Sequence, residues 1–447
     1  MLSTIKKLIK RFLPESWLSH YHFILANLAS RYYGNPSGKM IVIGITGTKG
    51  KSSVANFLWS CLQTAGHKTG ILSTAIIRIG EEALPNRYHM TMPGRFKLQK
   101  LLREMNKAGC KFVIVETTSE GIKQSRHIGI DYDYAIFTNL YREHLASHNN
   151  NFDEYKMTKG KLFALLKEKG EAPKVLDGKT ILKTSIINID NPYSGYFLAF
   201  DADKKITYGT IPSADIVAKN ILATETGSTF NIGDHKYELN IPGEFNVENS
   251  LPVIALCRSL DISEATIASG LANLKSIPGR MEAIDAGQDF KVYVDYAHQK
   301  ESMEGLLNTA KTIVKRNNTK IILLLGAEGG GRDKGKRLDM GKLAGQIADY
   351  VVVSNVDPYD DDPKEIIEDI AKVVEAEGKV RGTFLFTIED RREGIKKALT
   401  LAGPDDLVLI TGKGSEQSII IGGKETPWDD RTVTREEIQK LLEKKDA

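Results

Sequence analysis

The sequence predicts an α/β protein. A central domain built on a P-loop-type parallel sheet comes first, then a smaller doubly wound α/β domain, with a short helical segment in front. Three observations carry this. Residues 40–53, MIVIGITGTKGKSS, pass from a β-branched apolar run through a glycine turn into a helix. From residue 39 to about 276, short apolar runs such as 112–115 and 135–137 alternate with helical patterns, as parallel sheets require. After the turn Ile277-Pro278-Gly279 the alternation resumes, with apolar runs at 292–294, 321–325, 351–353 and 407–410. The expected divisions are therefore 1–38, 39–276 and 277–447.

In chain order, Ile5, Leu8, Ile9, Phe12 and Leu13 recur at helical spacing among Lys6, Lys7, Lys10 and Arg11, and Pro14 ends that helix. Trp17, Leu18, Tyr21, Ile24, Leu25, Leu28 and Tyr32 predict a second, aromatic-rich helix, and 35–38 a linker. Two readings stand for this segment: residues 1–13 lie peripherally on an anionic membrane, or the helical pair packs on the body of the protein. Residues 206–239 read as a small antiparallel excursion with glycine-containing turns.

The 447 residues allow two or three domains, and 41% hydrophobic with 26% charged residues is ordinary for a globular protein. A net charge of +4 gives no argument for a nucleic-acid partner. No apolar run approaches the roughly 18–20 residues of a membrane-spanning helix. Cys61, Cys110 and Cys257 are too far apart for a metal motif or disulfide framework, which suits a reducing cytoplasm. A monomer is expected.

The chemistry starts at the glycine turn. Gly47 and Gly50 leave backbone N–H groups open to phosphate oxygens, and the following helix adds positive potential. Lys51 supplies a point charge for the β/γ-phosphates, and the Ser52 hydroxyl suits Mg²⁺. Ile45 stands where the strict pattern has its first glycine, so the motif is the shorter G-T-x-G-K-S.

At this point the chain, from about residue 40 to the C-terminus, resembles the Mur ligase superfamily of ATP-dependent amino-acid-adding enzymes. It is most similar to the branch that adds the third residue of the stem peptide. The resemblance implies that Thr46, Gly47, Thr48, Lys49, Gly50, Lys51, Ser52 and Ser53 form the ATP loop. In VIVETTSEGIKQSRH (113–127), Glu116 would bind Mg²⁺, and Thr118, Gln124 and Arg126 would hold the muramyl peptide. TNLYREHLASH (138–148) resembles TNLxxDHLDxH, making His144 the ligand of a second Mg²⁺. Read alone, Glu116 could equally be a strand-end ion-pair partner and His144 a surface histidine. DEYKMTKGKLF (153–163) resembles Y-x-x-x-K-x-x-L-F, whose lysine is carbamylated by CO₂ into a metal ligand. Lys159 holds that position, and a carbamate needs an amine made neutral by desolvation.

The resemblance also places Asn246 and Asn249 of PGEFNVEN near adenine, Arg280 of GRME on the phosphates, and Asp295 of VDYAH on the ribose. Arg332 of GRDKGKR would bind the incoming amino acid's α-carboxylate. In GKGSE, Gly412 and Glu416 belong to the same site, with Ser415 in place of the family's histidine. Lys51, Lys159, His144 and Arg280 are thus the expected catalytic groups, with ATP and Mg²⁺ as cofactors.

Two departures matter. Members that add meso-diaminopimelate carry D-N-P-R, whose arginine meets the distal carboxylate. Here the stretch reads Val356-Asp357-Pro358-Tyr359, which points to lysine or ornithine as the added residue. Family members also carry about a hundred residues before the ATP loop to grip a UDP-sugar, and only about 40 precede it here. The acceptor is therefore open between UDP-linked, lipid-linked and unlinked forms. A folylpolyglutamate-type ligase and a non-catalytic nucleotide-binding regulator are the alternatives.

Overall fold

The structure is a computed structural model that describes residues 15–86, 88, 90–143, 145–167, 173–314, 319–331 and 334–446. The helix expected over residues 5–13, with its membrane contact, lies outside them, as do His144 and Arg332. The chain forms two compact units, one from Met1–Val217 with Asn249–Gly270, the other from Ala218–Glu248 with Leu271–Ala447.

In the first unit, α1 (Glu15–Tyr32) precedes β1 (Ile41–Thr46), the predicted apolar run. Every residue of β1 is buried, because a central parallel strand is covered on both faces. The helix after the glycine turn is α2 (Lys51–Thr64). β2 (Thr69–Leu72), β3 (Ile77–Ile79) and β4 (Glu82–Leu84) follow, then α3 (Arg95–Lys107), β5 (Phe112–Glu116), α4 (Ser119–Lys123), β6 (Tyr134–Phe137) and α5 (Phe152–Ala164). β7 (Val175–Leu176) and β8 (Lys179–Thr180) make a separate small hairpin, and β9 (Thr184–Asn188), β10 (Lys204–Gly209) and β11 (Ile216–Val217) complete the sheet. Its order is β11-β10-β9-β6-β1-β5-β2-β3-β4, parallel except at the β2-β3-β4 edge.

Register decides what meets at the loop edge. Ile45 pairs with Glu116 and Thr46 with Phe137, so β1, β5 and β6 end level with one another. At the opposite edge the buried Asp133 accepts from Val42 N (2.8 Å), Lys174 (2.7 Å) and Lys183 (3.0 Å), which satisfies a carboxylate that burial alone would penalise. The aromatic-rich helix α1 buries only one side. Ala26, Ala29 and Ser30 pack inward, with Ser30 Oγ donating to Gly129 O at 2.9 Å, while Trp17, Tyr21, Ile24, Leu28 and Tyr32 are exposed.

The second unit begins with a three-stranded antiparallel sheet, β12 (Lys219–Ala223), β13 (Ser228–Ile232) and β14 (His235–Leu239). The antiparallel excursion read over 206–239 is therefore confined to 219–239, since β10 and β11 extend the parallel sheet. The larger sheet has the order β15-β16-β20-β17-β18-β19, from Glu282–Ala283, Lys291–Asp295, Leu407–Thr411, Ile321–Leu325, Tyr350–Val353 and Leu385–Thr387. Only β15 is antiparallel. Among the described residues no helix is long and apolar enough to cross a membrane.

Candidate active site

The loop 47–50 in the first unit needs both of its glycines. Gly47 (φ 149°) and Gly50 (φ 81°) adopt conformations that favour glycine. A Cβ at Gly47 would lie 1.9 Å from Thr138 Oγ1, and one at Gly50 would lie 2.1 Å from Asn249 Oδ1. The side chain of Asn249 therefore packs directly on the loop. The segment after β6 holds the loop from the other side. Thr48 N donates to Asn139 O (2.9 Å), Lys49 N to Asn139 Oδ1 (2.8 Å), and Thr138 Oγ1 to Lys49 O (2.7 Å).

Lys51 Nζ reaches back to the loop's own carbonyls, Gly47 O at 3.2 Å and Thr48 O at 2.9 Å, which keeps its charge at the mouth of the cradle. Ser52 Oγ donates to Glu116 Oε2 at 2.9 Å, and Thr74 N donates to the same oxygen at 2.9 Å. Ser53 is buried at the start of α2, and Thr46 is buried at the end of β1.

Lys159 is 2% exposed, and its Nζ donates to Gly47 O at 2.8 Å. The amine stands 4.5 Å from the Tyr155 ring, whose hydroxyl bonds Thr48 Oγ1 at 3.1 Å. Burial, and then the Lys51 charge, push the Lys159 pKa well below the ordinary lysine value. Glu116 and Glu143 pull the other way without reversing it. Disfavouring the charged form in this way is what CO₂ uptake by an amine calls for.

Ser52, Glu116 and a carbamate on Lys159 are hard oxygen donors, which fit Mg²⁺ held by few protein ligands together with phosphate and water. Among the described residues no three His, Cys, Asp or Glu side chains cluster as a metal cage.

Thr118 caps the start of α4, accepting from Gly121 N at 3.2 Å, Gln124 caps its end, and Gln124 Oε1 accepts at 2.7 Å from Arg126 just beyond it, so the three expected acceptor residues bracket one short helix.

Sequence reasoning missed Glu143, which is buried and pairs with Lys49 at 2.9 Å. Its position at the aspartate of TNLxxDHLDxH was a usable signal. Tyr155 and Thr74 were missed as well, and only Tyr155, the first residue of its motif, carried a signal. His148 is buried, neither ring nitrogen has a hydrogen-bond partner among the described residues, and burial pushes its pKa down to about 4.

In the second unit Asp295 spends both oxygens on backbone, Met281 N and Ala297 N, each at 2.7 Å. Arg280 donates to Gly279 O (3.0 Å) and lies over the Tyr296 ring at 4.4 Å. Asn246 Nδ2 donates to Pro242 O at 2.8 Å. Gly412 (φ 110°) donates to Asp295 O at 3.2 Å. Asp357 and Glu416 are brought together by Lys413, which pairs with them at 2.7 and 2.8 Å. Burial alone would lower the Lys413 pKa, but the facing Glu416 and Asp357 carboxylates carry it above the ordinary lysine value. Asp357 also accepts from Ile420 N at 2.8 Å, and Tyr359, at φ 55°, is tied by its backbone to Ile420 and Gly422.

A phosphate-cradling loop with a lysine buried against it, on a parallel sheet, marks a nucleotide-dependent enzyme. Comparison with known proteins narrows this class. Residues 45–257 match the Mur ligase middle domain, and residues 279–414 match the Mur ligase, glutamate ligase domain. The chain is 36% identical over 427 residues to the UDP-N-acetylmuramoyl-L-alanyl-D-glutamate--2,6-diaminopimelate ligase of Geobacillus kaustophilus (strain HTA426), covering 94% of this chain and 83% of the relative. It is 33% identical over 425 residues to the UDP-N-acetylmuramyl-tripeptide synthetase of Roseiflexus sp. (strain RS-1), covering 93% and 82%. Its fold is similar to Mycobacterium tuberculosis folylpolyglutamate synthase complexed with ADP and AMPPCP, with a TM-score of 0.68 at 16% identity over 99% and 98% of the two chains. The chain belongs to the Mur ligase family, and is an ATP-dependent ligase that forms amide bonds.

Proposed function

We propose that this ligase joins a muramyl-peptide carboxylate to a diamino acid, lysine or a close relative, in peptidoglycan precursor synthesis in the cytoplasm. The observation that carries the reading is the Lys159 amine, buried 2.8 Å from Gly47 O inside the phosphate loop. One hydrogen bond to Gly47 O is a small return for burying an amine there, whereas a carbamate at that position would supply an anionic oxygen donor to the Mg²⁺ that neutralises the phosphates.

The acceptor's carboxylate takes the γ-phosphoryl group, the amine of the amino acid attacks the acyl phosphate, and phosphate leaves. Lys51 holds the phosphate oxygens, and Arg280 is assigned to the same charge in the second unit. Ser52, Glu116 and carbamylated Lys159, with His144 for a second ion, would hold Mg²⁺, which would supply neutralisation of the phosphates. Thr46–Ser53, Asn246, Asn249 and Asp295 are assigned to the nucleotide. Thr118, Gln124 and Arg126 are assigned to the acceptor, and Arg332, Asp357, Tyr359, Gly412 and Glu416 to the amino acid. With purified protein, ADP release should require acceptor and amino acid together; ATP hydrolysis indifferent to both would overturn the reading.

The diamino acid is argued from positions 357–359. Tyr359 offers no cation to a distal carboxylate. The nearby acids Asp357, Asp360, Asp361 and Asp362 leave Lys413 as the basic group bonded to Asp357. The Geobacillus relative is named for 2,6-diaminopimelate, but the residue at 359 argues against carrying that substrate over. Turnover with L-lysine should exceed that with meso-diaminopimelate by at least about tenfold in kcat/KM, as loss of one charge-assisted pair implies. Faster turnover with diaminopimelate would sink this assignment.

A further inference from the structure

α3 opens at Arg95, beside the turn that carries Arg126. Arg126 donates to Met92 O and, at 2.7 Å, to Gln124 Oε1, with Met90 Sδ a further contact at 3.2 Å. Arg95 Nη2 donates to Gln124 O. Both guanidiniums are therefore gathered on Gln124. Among the described residues neither has a carboxylate at ion-pair distance. Burial and then the charge of Arg126 disfavour the charged form of Arg95, with Tyr21 opposing them, while Glu120 favours the charged form of Arg126. Arg95 Nε is buried with no hydrogen-bond partner. The residue before Arg95, Gly94, provides no side-chain cap to α3, and a Cβ there would meet nothing within 4 Å.

Two like charges, partly desolvated and hydrogen-bonded to neutral oxygens, with the Glu120 carboxylate beyond Gln124 favouring only Arg126, leave Arg95 the group an added anion would satisfy. Guanidinium pairs match oxyanions through paired N–H groups. The place also connects to the chemistry. Thr91, next to Met92, bonds Thr74 Oγ1 at 2.6 Å, and Thr74 Oγ1 donates to Glu116 Oε1 at 3.2 Å. Met92, which accepts from Arg126, therefore stands one chain step and two hydrogen bonds from Glu116, the residue assigned to the metal.

We propose that Arg95, acting with Arg126, forms a two-guanidinium cradle for a second oxyanion of the acceptor. This rests on the acceptor class proposed above. The oxyanion is either a phosphate of the group carrying the muramyl sugar or a further carboxylate of the peptide. In both cases it is distinct from the carboxylate that reacts.

The test is Arg95→Gln, with Arg95→Lys as a charge-keeping companion and Arg103→Gln, exposed on the same helix, as control. Two acceptors are compared, a muramyl dipeptide on a nucleoside diphosphate and the same muramyl dipeptide without phosphate. Arg95→Gln should raise the acceptor KM at least about tenfold, the size of one lost charged hydrogen bond, with kcat and the ATP KM within about twofold. Arg95→Lys should recover part of the loss, and the control should behave as wild type. A rise with the phosphorylated acceptor alone assigns the oxyanion to phosphate; an equal rise with both assigns it to the peptide. An unchanged KM for both acceptors overturns the cradle. Calorimetric titration of each acceptor without ATP separates this from the ligase reading. If wild type shows no ADP release, the ligase reading fails, and the cradle is then decided by whether Arg95→Gln weakens binding of either acceptor.

Discussion

Replacing Lys159 with methionine should lower kcat by about 10²–10³-fold, the effect of removing one preorganised charge from a reacting phosphate, and should leave the melting temperature unchanged or raised. Methionine keeps the length and volume of the side chain, so the packing against Tyr155 survives. It removes an amine whose charged form burial and then Lys51 disfavour, so the variant loses a charge that the site does not stabilise. Two further readouts isolate the carbamate. Wild-type activity should fall in CO₂-depleted buffer and return with bicarbonate, while the variant responds to neither. Because the amine is depressed below the ordinary lysine range, CO₂ uptake should rise with pH, the neutral fraction growing as the proton leaves. Turnover of the methionine variant within threefold of wild type would remove Lys159 from the mechanism.

Arg391→Ala should destabilise the second unit by about 3–5 kcal/mol, the cost of leaving a buried charge without its partner. Arg391 and Asp430 are both completely buried and meet through two bonds, at 2.8 and 2.6 Å. The same guanidinium also closes off Asn355 O and Thr411 O, at the ends of β18 and β20, each at 2.8 Å. Truncation therefore orphans a carboxylate and two carbonyls at once. Trp428 Nε1 donates to Asp430 at 2.8 Å, so its fluorescence should report the loss in a urea titration. Arg381→Ala is the contrast. Its pairs with Glu368 and Glu375 are solvent-exposed, and it should cost under about 1 kcal/mol. Equal effects from the two variants would show that burial is not what gives the Arg391 pair its weight.

Much of the site was legible because its residue types are chemically demanding. The glycine turn at 47–50 needs left-handed backbone and close approach, and glycine alone satisfies both, so the motif was visible with one position out of place. The order of motifs from the loop to GKGSE was equally readable. Glu143 stands in a motif too, but glutamate replaces the family's aspartate there, and an acidic residue is less distinctive than the histidine beside it. The pairing of Arg95 with Arg126 had no sequence signal. An arginine at the first position of an amphipathic helix looks like any solvated charge until another segment is folded beside it.

The sequence by itself determined the alternation of strands and helices, the phosphate loop and the class of reaction, since periodicity and glycine placement report local geometry directly. Composition alone could not say which lysine of α5 mattered, and only the motif resemblance pointed to Lys159. Lys156, Lys159 and Lys161 are equivalent in composition, yet Lys156 pairs with Asp153 near the surface, Lys161 is exposed, and Lys159 alone is buried against the loop. That choice was made by the parallel register of β1, β5 and β6, which ends three strands level and brings Gly47 to an amine 112 residues away. Local patterns state which face of an element is buried. Only the packed sheet decides which loops meet at its edge.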